Sequence, residues 1–375
     1  MKYLVTALAA FTAALLPIAA AGLEIPNAQQ PQLSVAPDGT VWLAYGQNGS
    51  VFVTESSDGG SSFAAARQVG NAHNLTFGMR RGPRIAAQGD RVTITVPGDE
   101  LVAYTSSDHG KTWTGPVAVN DTPGSSREGL HDLAAGPDGR LFAVWLDQRS
   151  GPMEVWSAES TDGGRSWGQN QLVYHSPDKS VCECCHPSAL FDAEGNLAVM
   201  WRNSVGGCRD LWMSVRAQGR RDFPPGKKLC TGTWPLNACP MDGGRIVALG
   251  AGKFASVWQR AGEIYYAPWD GAETLLGKGR QPIALRYGGV TTVYWQDDAG
   301  LVSKQVDSPN APEKRAANAR FAAVAQAVDD RSHAVLAYEQ SATAAAAIKH
   351  GPAMHTAAGQ AAAAAKTTTV VVERL

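Results

Sequence analysis

Six cysteines fall within residues 182–239, and nowhere else in a chain of 375 residues. They read VCECCHPS (181–188), GGCRD (206–210), KKLCTG (227–232) and NACPMDGG (237–244). Sulfur at this density supports two chemistries. An even number of cysteines in an exported chain forms disulfides. Thiolates grouped with His and Met bind soft metals such as copper or zinc. If 210–216 and 227–230 are antiparallel neighbours, Cys208 and Cys230 lie at the same end of that pair and are expected to bridge, within the Cα separation a disulfide allows. Cys182, Cys184, Cys185 and Cys239 remain, on two loops expected to open on one face. They form two further disulfides of unassigned pairing, or a thiolate metal site with His186 and Met241, or a reactive redox thiol. Two cysteines one residue apart depart from the usual zinc spacing.

A second group of polar residues stands at or just before expected strand starts: Gln32, Arg84, His131 with Asp132, His186, Asp242, Gln281 and Arg320. Arg80 and Arg81 lie just upstream of Arg84, and Arg202, Arg209 and Asp210, like Asp147 and Arg149, fall on loops expected to open on the same or an adjacent surface. Guanidinium groups grip carboxylates bidentately. Pairs of carboxyl groups, here Glu128, Asp132 or Asp147, can serve glycoside hydrolysis. For each residue the alternative is a polar channel lining that holds water. His131 and His186 are expected at equivalent positions of consecutive repeats, facing one channel.

The elements that must position these residues repeat. Residues 56–63 read SSDGGSSF, 106–113 SSDHGKTW and 160–167 STDGGRSW. Each fits S-x-D-x-G-x-[ST]-[WF], with Asp58, Asp108 and Asp162 carrying the turn and Gly60, Gly110 and Gly164 supplying positive φ. A period near fifty residues signals a repeat architecture. A second signature, strand, D-G-type turn and strand, recurs seven times, at 32–47, 84–98, 133–148, 188–203, 245–260, 281–297 and 322–340. All but the second copy end in an aromatic. Alternating apolar residues bounded by Gly, Asp and Pro predict antiparallel strands. Four strands per unit, repeated radially, give an all-β propeller, of seven blades or alternatively six. Residues 367–375 (TTTVVVERL) are expected to close the ring. The Ala-rich runs 342–347 and 357–365 read as a short helix or an insert without structure.

The three Asp turns resemble the Asp-box (BNR) repeat of sialidase-like β-propellers. In that fold such boxes lie away from the ligand face. The cysteine stretch, with Arg202–Asn203, Arg209–Asp210 and residues 234–243, looks like an exported bacterial subgroup of sialidase-like proteins carrying a CECC motif. The resemblance implies either a binding propeller for a glycan, an anionic small molecule or a soft metal, or an exo-sialidase or related glycoside hydrolase. A sialidase would need three gripping arginines, a Tyr–Glu nucleophile pair and an Asp acid. The family's first-arginine motif is met only by GPRI (82–85), without its closing Pro, and Tyr338–Glu339, as strand neighbours, point to opposite faces. Whether the chain is an enzyme stays open.

Residues 1–21 read as a signal peptide, with Lys2, a short apolar run broken by Pro17, and small residues before the cut. The remaining 22–375 is expected to be one domain, periplasmic or secreted, not membrane-inserted after cleavage, and monomeric. A formal charge of −1 offers no field for nucleic acid. Asn48–Ser50 and Asn74–Thr76 match glycosylation sequons by pattern alone.

Overall fold

The computed structural model describes residues 22–70, 74–326, 333–341 and 368–375. The expected signal peptide and the Ala-rich runs lie outside these residues. Seven four-stranded antiparallel sheets form the seven blades of a propeller. Six blades run in chain order from the channel outward: 28–70, 84–118, 131–174, 188–228, 245–278 and 280–317. The seventh takes three strands from the C-terminal part, Ala319–Gln326, Ala334–Ser341 and Thr368–Arg374. Its outermost strand is the N-terminal Leu23–Pro26, paired antiparallel with Thr368–Arg374, Ile25 opposite Val370. The ring therefore closes by joining both ends of the chain.

The recurring aromatic has one structural job. Tyr45, Trp145, Trp201, Trp258, Trp295 and Tyr338 sit in the second strands of their blades, at most 3% exposed. Each of the seven blade interfaces carries its own apolar cluster among the described residues. Burial of such side chains contributes about 1.5–3 kcal/mol each. One aromatic per repeat thus fills one interface.

The two faces are built differently. Turns between first and second strands, and the three S-x-D turns, lie on one face. In each S-x-D turn the Asp accepts from the hydroxyl two residues before it and from both N–H and hydroxyl four residues after it. Burial raises Asp58 and Asp162, but hydrogen bonds from Ser62 and Ser166 outweigh it and pull both down to about 2. Asp108 is drawn to about 2 by Thr112. The opposite face gathers the inner-strand starts, the blade-to-blade loops and the turns between second and third strands, Cys208 lying in the last of these in blade four. There the inner strands of blades one, six and seven open with bulges, and Gln30, Gln281 and Phe321 adopt positive φ. Their N–H groups reach the neighbouring blade, donating to Glu339, Asp242 and Gln296.

Candidate metal centre

The cysteine loops lie between blades three and four and between blades four and five. Cys182 N donates to Arg202 O at 2.9 Å and Val181 N to Met153 O at 2.9 Å, which pins the first loop to both blades. Residues 182–185 then form a tight turn that directs three thiols inward. Cys182 and Cys185 Sγ are 3.2 Å apart, Cys182 and Cys184 3.7 Å, and Cys184 and Cys185 4.0 Å. Cys182 and Cys185 are 1% exposed and Cys184 8%.

The second loop delivers Cys239, which packs against the thiols, and Met241, which is buried among them. Glycine permits the approach: a Cβ on Gly243 would meet the His186 carbonyl oxygen at 1.8 Å. Met79 packs on the same cluster from the loop before blade two. Both methionines hold positive φ, 51° at Met79 and 53° at Met241, a backbone state that costs free energy for non-glycine residues and concentrates at functional sites. The cluster therefore draws on three loops, with four thiols and two thioethers.

The thiols do not share one protonation tendency. Hydrogen bonding with Cys184, then with Cys185, holds Cys182 well below the usual thiol range, aided by the Arg202 and Arg209 guanidiniums. Hydrogen bonding to Cys182 pushes Cys184 up, and burial pushes Cys185 up. Cys239 is drawn down by its hydrogen bond with Cys184. Thiols that must lose protons to become ligands make a site that releases protons when a cation binds. Three thiols this close could hold a metal ion.

The expected Cys208–Cys230 bridge is not formed; both are free thiols. The antiparallel pairing that was to align them covers only Trp212 opposite Lys228 and Met213 opposite Lys227. Beyond it Cys230 turns at φ 58° towards Gly271 of blade five, while Cys208 pairs in a bridge with Pro235. The expected equivalence of His131 and His186 also fails. His131 lies opposite Trp145, whereas Ser188 lies opposite Met200, so the residue opposite Trp201 is Pro187. A one-residue offset in a strand reverses the side-chain face. His131 hydrogen-bonds Thr95 at 3.0 Å and His186 the Gly244 carbonyl at 3.2 Å. Burial pushes both imidazoles well below their ordinary range, so both are neutral. His186 lies outside the thiol cluster.

The channel arginines are committed to the protein's own backbone. Arg80, from the loop before blade two, crosses the channel to Gln281 Oε1 at 2.8 Å, Gln281 O at 3.0 Å and Ala322 O at 2.9 Å. Arg84 donates to the carbonyls of Arg80, Gly82 and Pro83 and sits 3.5 Å from Asp132. Arg202 donates to the carbonyls of Asp242, Arg209 and Gln259. Arg320 pairs with Glu339 at 3.0 Å. Arg209 donates its N–H to Trp234 O, and Asp210 accepts from Thr233 and Trp234 and pairs with Lys228 at 3.0 Å. Asp132 accepts from Ala189 N and from Arg245 at 2.8 Å. Asp147 is spent on Ser125, Trp145 and Arg149. A three-arginine carboxylate grip is not assembled by these side chains.

Two Tyr–Glu hydrogen bonds occur among the described residues, Tyr338 with Glu373 at 2.5 Å and Tyr265 with Glu263 at 2.6 Å. Neither tyrosine lies on an inner strand. Burial pushes Tyr338 up, and hydrogen bonding to Glu263 pushes Tyr265 up, the opposite of an activated nucleophile. Sequence reasoning placed Arg80 and Arg81 just upstream of Arg84 but missed Met79, whose only signal was a bulky residue after Gly78 in a loop with no repeat to place it.

No family model matches the chain, and no curated protein is detectably similar to it in sequence. Solved structures share its fold. A protein of unknown function from Dyadobacter fermentans is 12% identical, with a TM-score of 0.54 over 94% of this chain and 96% of its own. YCF48, solved bound to a D1 peptide, is 14% identical, with a TM-score of 0.51 over 84% of this chain and 92% of its own. The Hadza microbial sialidase Hz136 is 14% identical, with a TM-score of 0.41 over 72% of this chain and 63% of its own. At such identities the likeness is one of fold alone.

Proposed function

We propose that this propeller binds a soft metal ion, copper(I) before zinc, through Cys182, Cys184, Cys185 and Cys239, with Met79 and Met241 completing the sulfur lining. One observation carries the reading: three buried thiols within 4.8 Å of one another, with Cys239 packed against them. Soft thiolate and thioether donors favour copper(I). Zinc also takes four thiolates, but the thioethers and the adjacent Cys184–Cys185 pair suit it less well. The ion would be held and shielded from water; the chain's residues bind and orient it.

Export belongs to this proposal. In an oxidising compartment free thiols become disulfides, and a bound ion is one way to keep four of them reduced. The test is an anaerobic copper(I) titration of reduced protein against a chromophoric chelator. One tightly held copper(I) per chain is expected. A protein purified without reductant with the mass of two disulfides across these four cysteines, and no copper uptake after reduction, would sink the reading. The channel supports a weaker second reading. Arg245 keeps a side chain 28% exposed with one contact to Asp132, and could meet an anionic small molecule or glycan. Loss of binding in Arg245→Ala on a glycan array would support it. The exo-sialidase reading draws no support from the arginine geometry, and a fluorogenic sialoside assay is expected to show no turnover.

A further inference from the structure

A cleft of about 450 Å³ opens on the cysteine face between blades five and six. Cys239 forms part of its wall, together with Trp234, Leu236, Pro240, Lys278 and Arg280. Cys239 is the member of the thiol cluster that is only half-buried. It therefore has one side towards Cys184 and the other towards the cleft. Lys278 and Arg280 have no ion-pair partner among the described residues. Of the two carboxylates in the same lining, Asp297 is occupied by the N–H groups of Ala299 and Gly300, while the neighbouring Asp298 is exposed. The volume suits a small ligand rather than a protein. The charges suit one that carries both carboxylates and an amine.

We propose that this cleft takes a short peptide thiol whose sulfur exchanges with Cys239 on the bound metal ion. The inference rests on the metal reading above and names how the ion would be delivered or removed. The step is ligand substitution. The bond from the metal to Cys239 sulfur breaks, a bond to the ligand sulfur forms, and the ligand's thiol proton passes to the Cys239 thiolate. No electron changes hands. Lys278 and Arg280 hold the ligand's carboxylates, charge-assisted contacts that fix its register, and Trp234, Leu236 and Pro240 cover its apolar portion. The three buried thiols keep the ion while Cys239 is exchanged.

Reduced glutathione is the probe, and copper(I)-loaded full-length protein is the sample, under anaerobic conditions with a chromophoric acceptor in excess. Copper loss is expected to accelerate and saturate with glutathione, and to rise without saturation with 2-mercaptoethanol, which lacks the carboxylates. The double variant Lys278→Glu/Arg280→Glu, and separately Leu236→Trp to fill the cleft, should raise the half-saturating glutathione concentration about ten-fold, or about 1.4 kcal/mol, with copper(I) affinity unchanged. Variants that bind copper and exchange it as the wild type does would overturn the cleft proposal alone. So would a glutathione dependence that never saturates. A wild type that takes up no copper(I) would defeat the metal reading and this inference with it.

Discussion

The two faces of the propeller use polar side chains in opposite ways. On one, Asp58, Asp108 and Asp162 spend their oxygens on hydroxyl and N–H groups within four residues of themselves. On the other, Cys182, Cys184 and Cys185 meet Cys239, Met241 and Met79 from three separate loops. The first arrangement is complete within each turn and has nothing to offer a ligand. The second leaves three thiols whose hydrogen-bonding partners are chiefly one another, with a fourth packed beside them. A motif that satisfies itself stabilises a fold; a cluster that has only itself is available to an ion. Arg80, Arg84 and Arg202 belong with the first kind although they lie on the second face, because backbone carbonyls take up their donors.

The largest effect should come from the group that ties the cysteine face together. Arg202→Met leaves the carbonyls of Asp242, Arg209 and Gln259 without their donor, and buried acceptors without partners cost about 1–3 kcal/mol each. A loss of at least about 3 kcal/mol in urea unfolding is expected; an unchanged midpoint would show that the face does not depend on it. Next, Cys182→Ser/Cys185→Ser should weaken copper(I) binding by about 100-fold or more and shift apo-protein stability little. If instead it unfolds the protein and leaves copper affinity intact, the cluster is structural and the contrast between the faces collapses.

Asp162→Ala should do the reverse. It removes the acceptor for Ser160, Ser166 N–H and Ser166 hydroxyl, costing about 1–2 kcal/mol, with copper(I) affinity untouched. A change in affinity would mean the faces are coupled. The smallest effects concern pH. Asp58, Asp108 and Asp162 lie near 2 in the fold and near 3.9 when unfolded. Their contribution is full above about pH 4 and lost as pH falls towards 2. His131 and His186, held neutral by burial, act higher. The unfolded chain takes up protons below about pH 6.5 and the fold resists them, so stability should start to fall below that value. A double His→Gln variant that keeps the same slope between pH 6.5 and 5 in urea titrations would remove the histidines from the account.

Within this comparison, what could be read in advance follows from range. The S-x-D turns were legible because every partner lies within a few residues. The seven units were legible because each interface demands the same aromatic, and six of seven copies show it. The Cys208–Cys230 bridge was misread because a pairing two residues long does not carry alignment to its ends. His131 and His186 were misaligned by one residue, for there is no local signal that separates an inner strand's first residue from its second. Export, the signal peptide and the oligomeric state remain expectations of the sequence.

Sequence alone determined the all-β propeller, its period and the face on which the cysteines would open, since these depend on local turn chemistry and on a pattern repeated seven times. Tertiary structure alone decided that the N-terminal strand completes the last blade, that channel arginines are taken up by carbonyls, and that Met79 joins thiols more than a hundred residues away. Those outcomes depend on which loops meet when the ring closes, and ring closure is a property of all seven interfaces together.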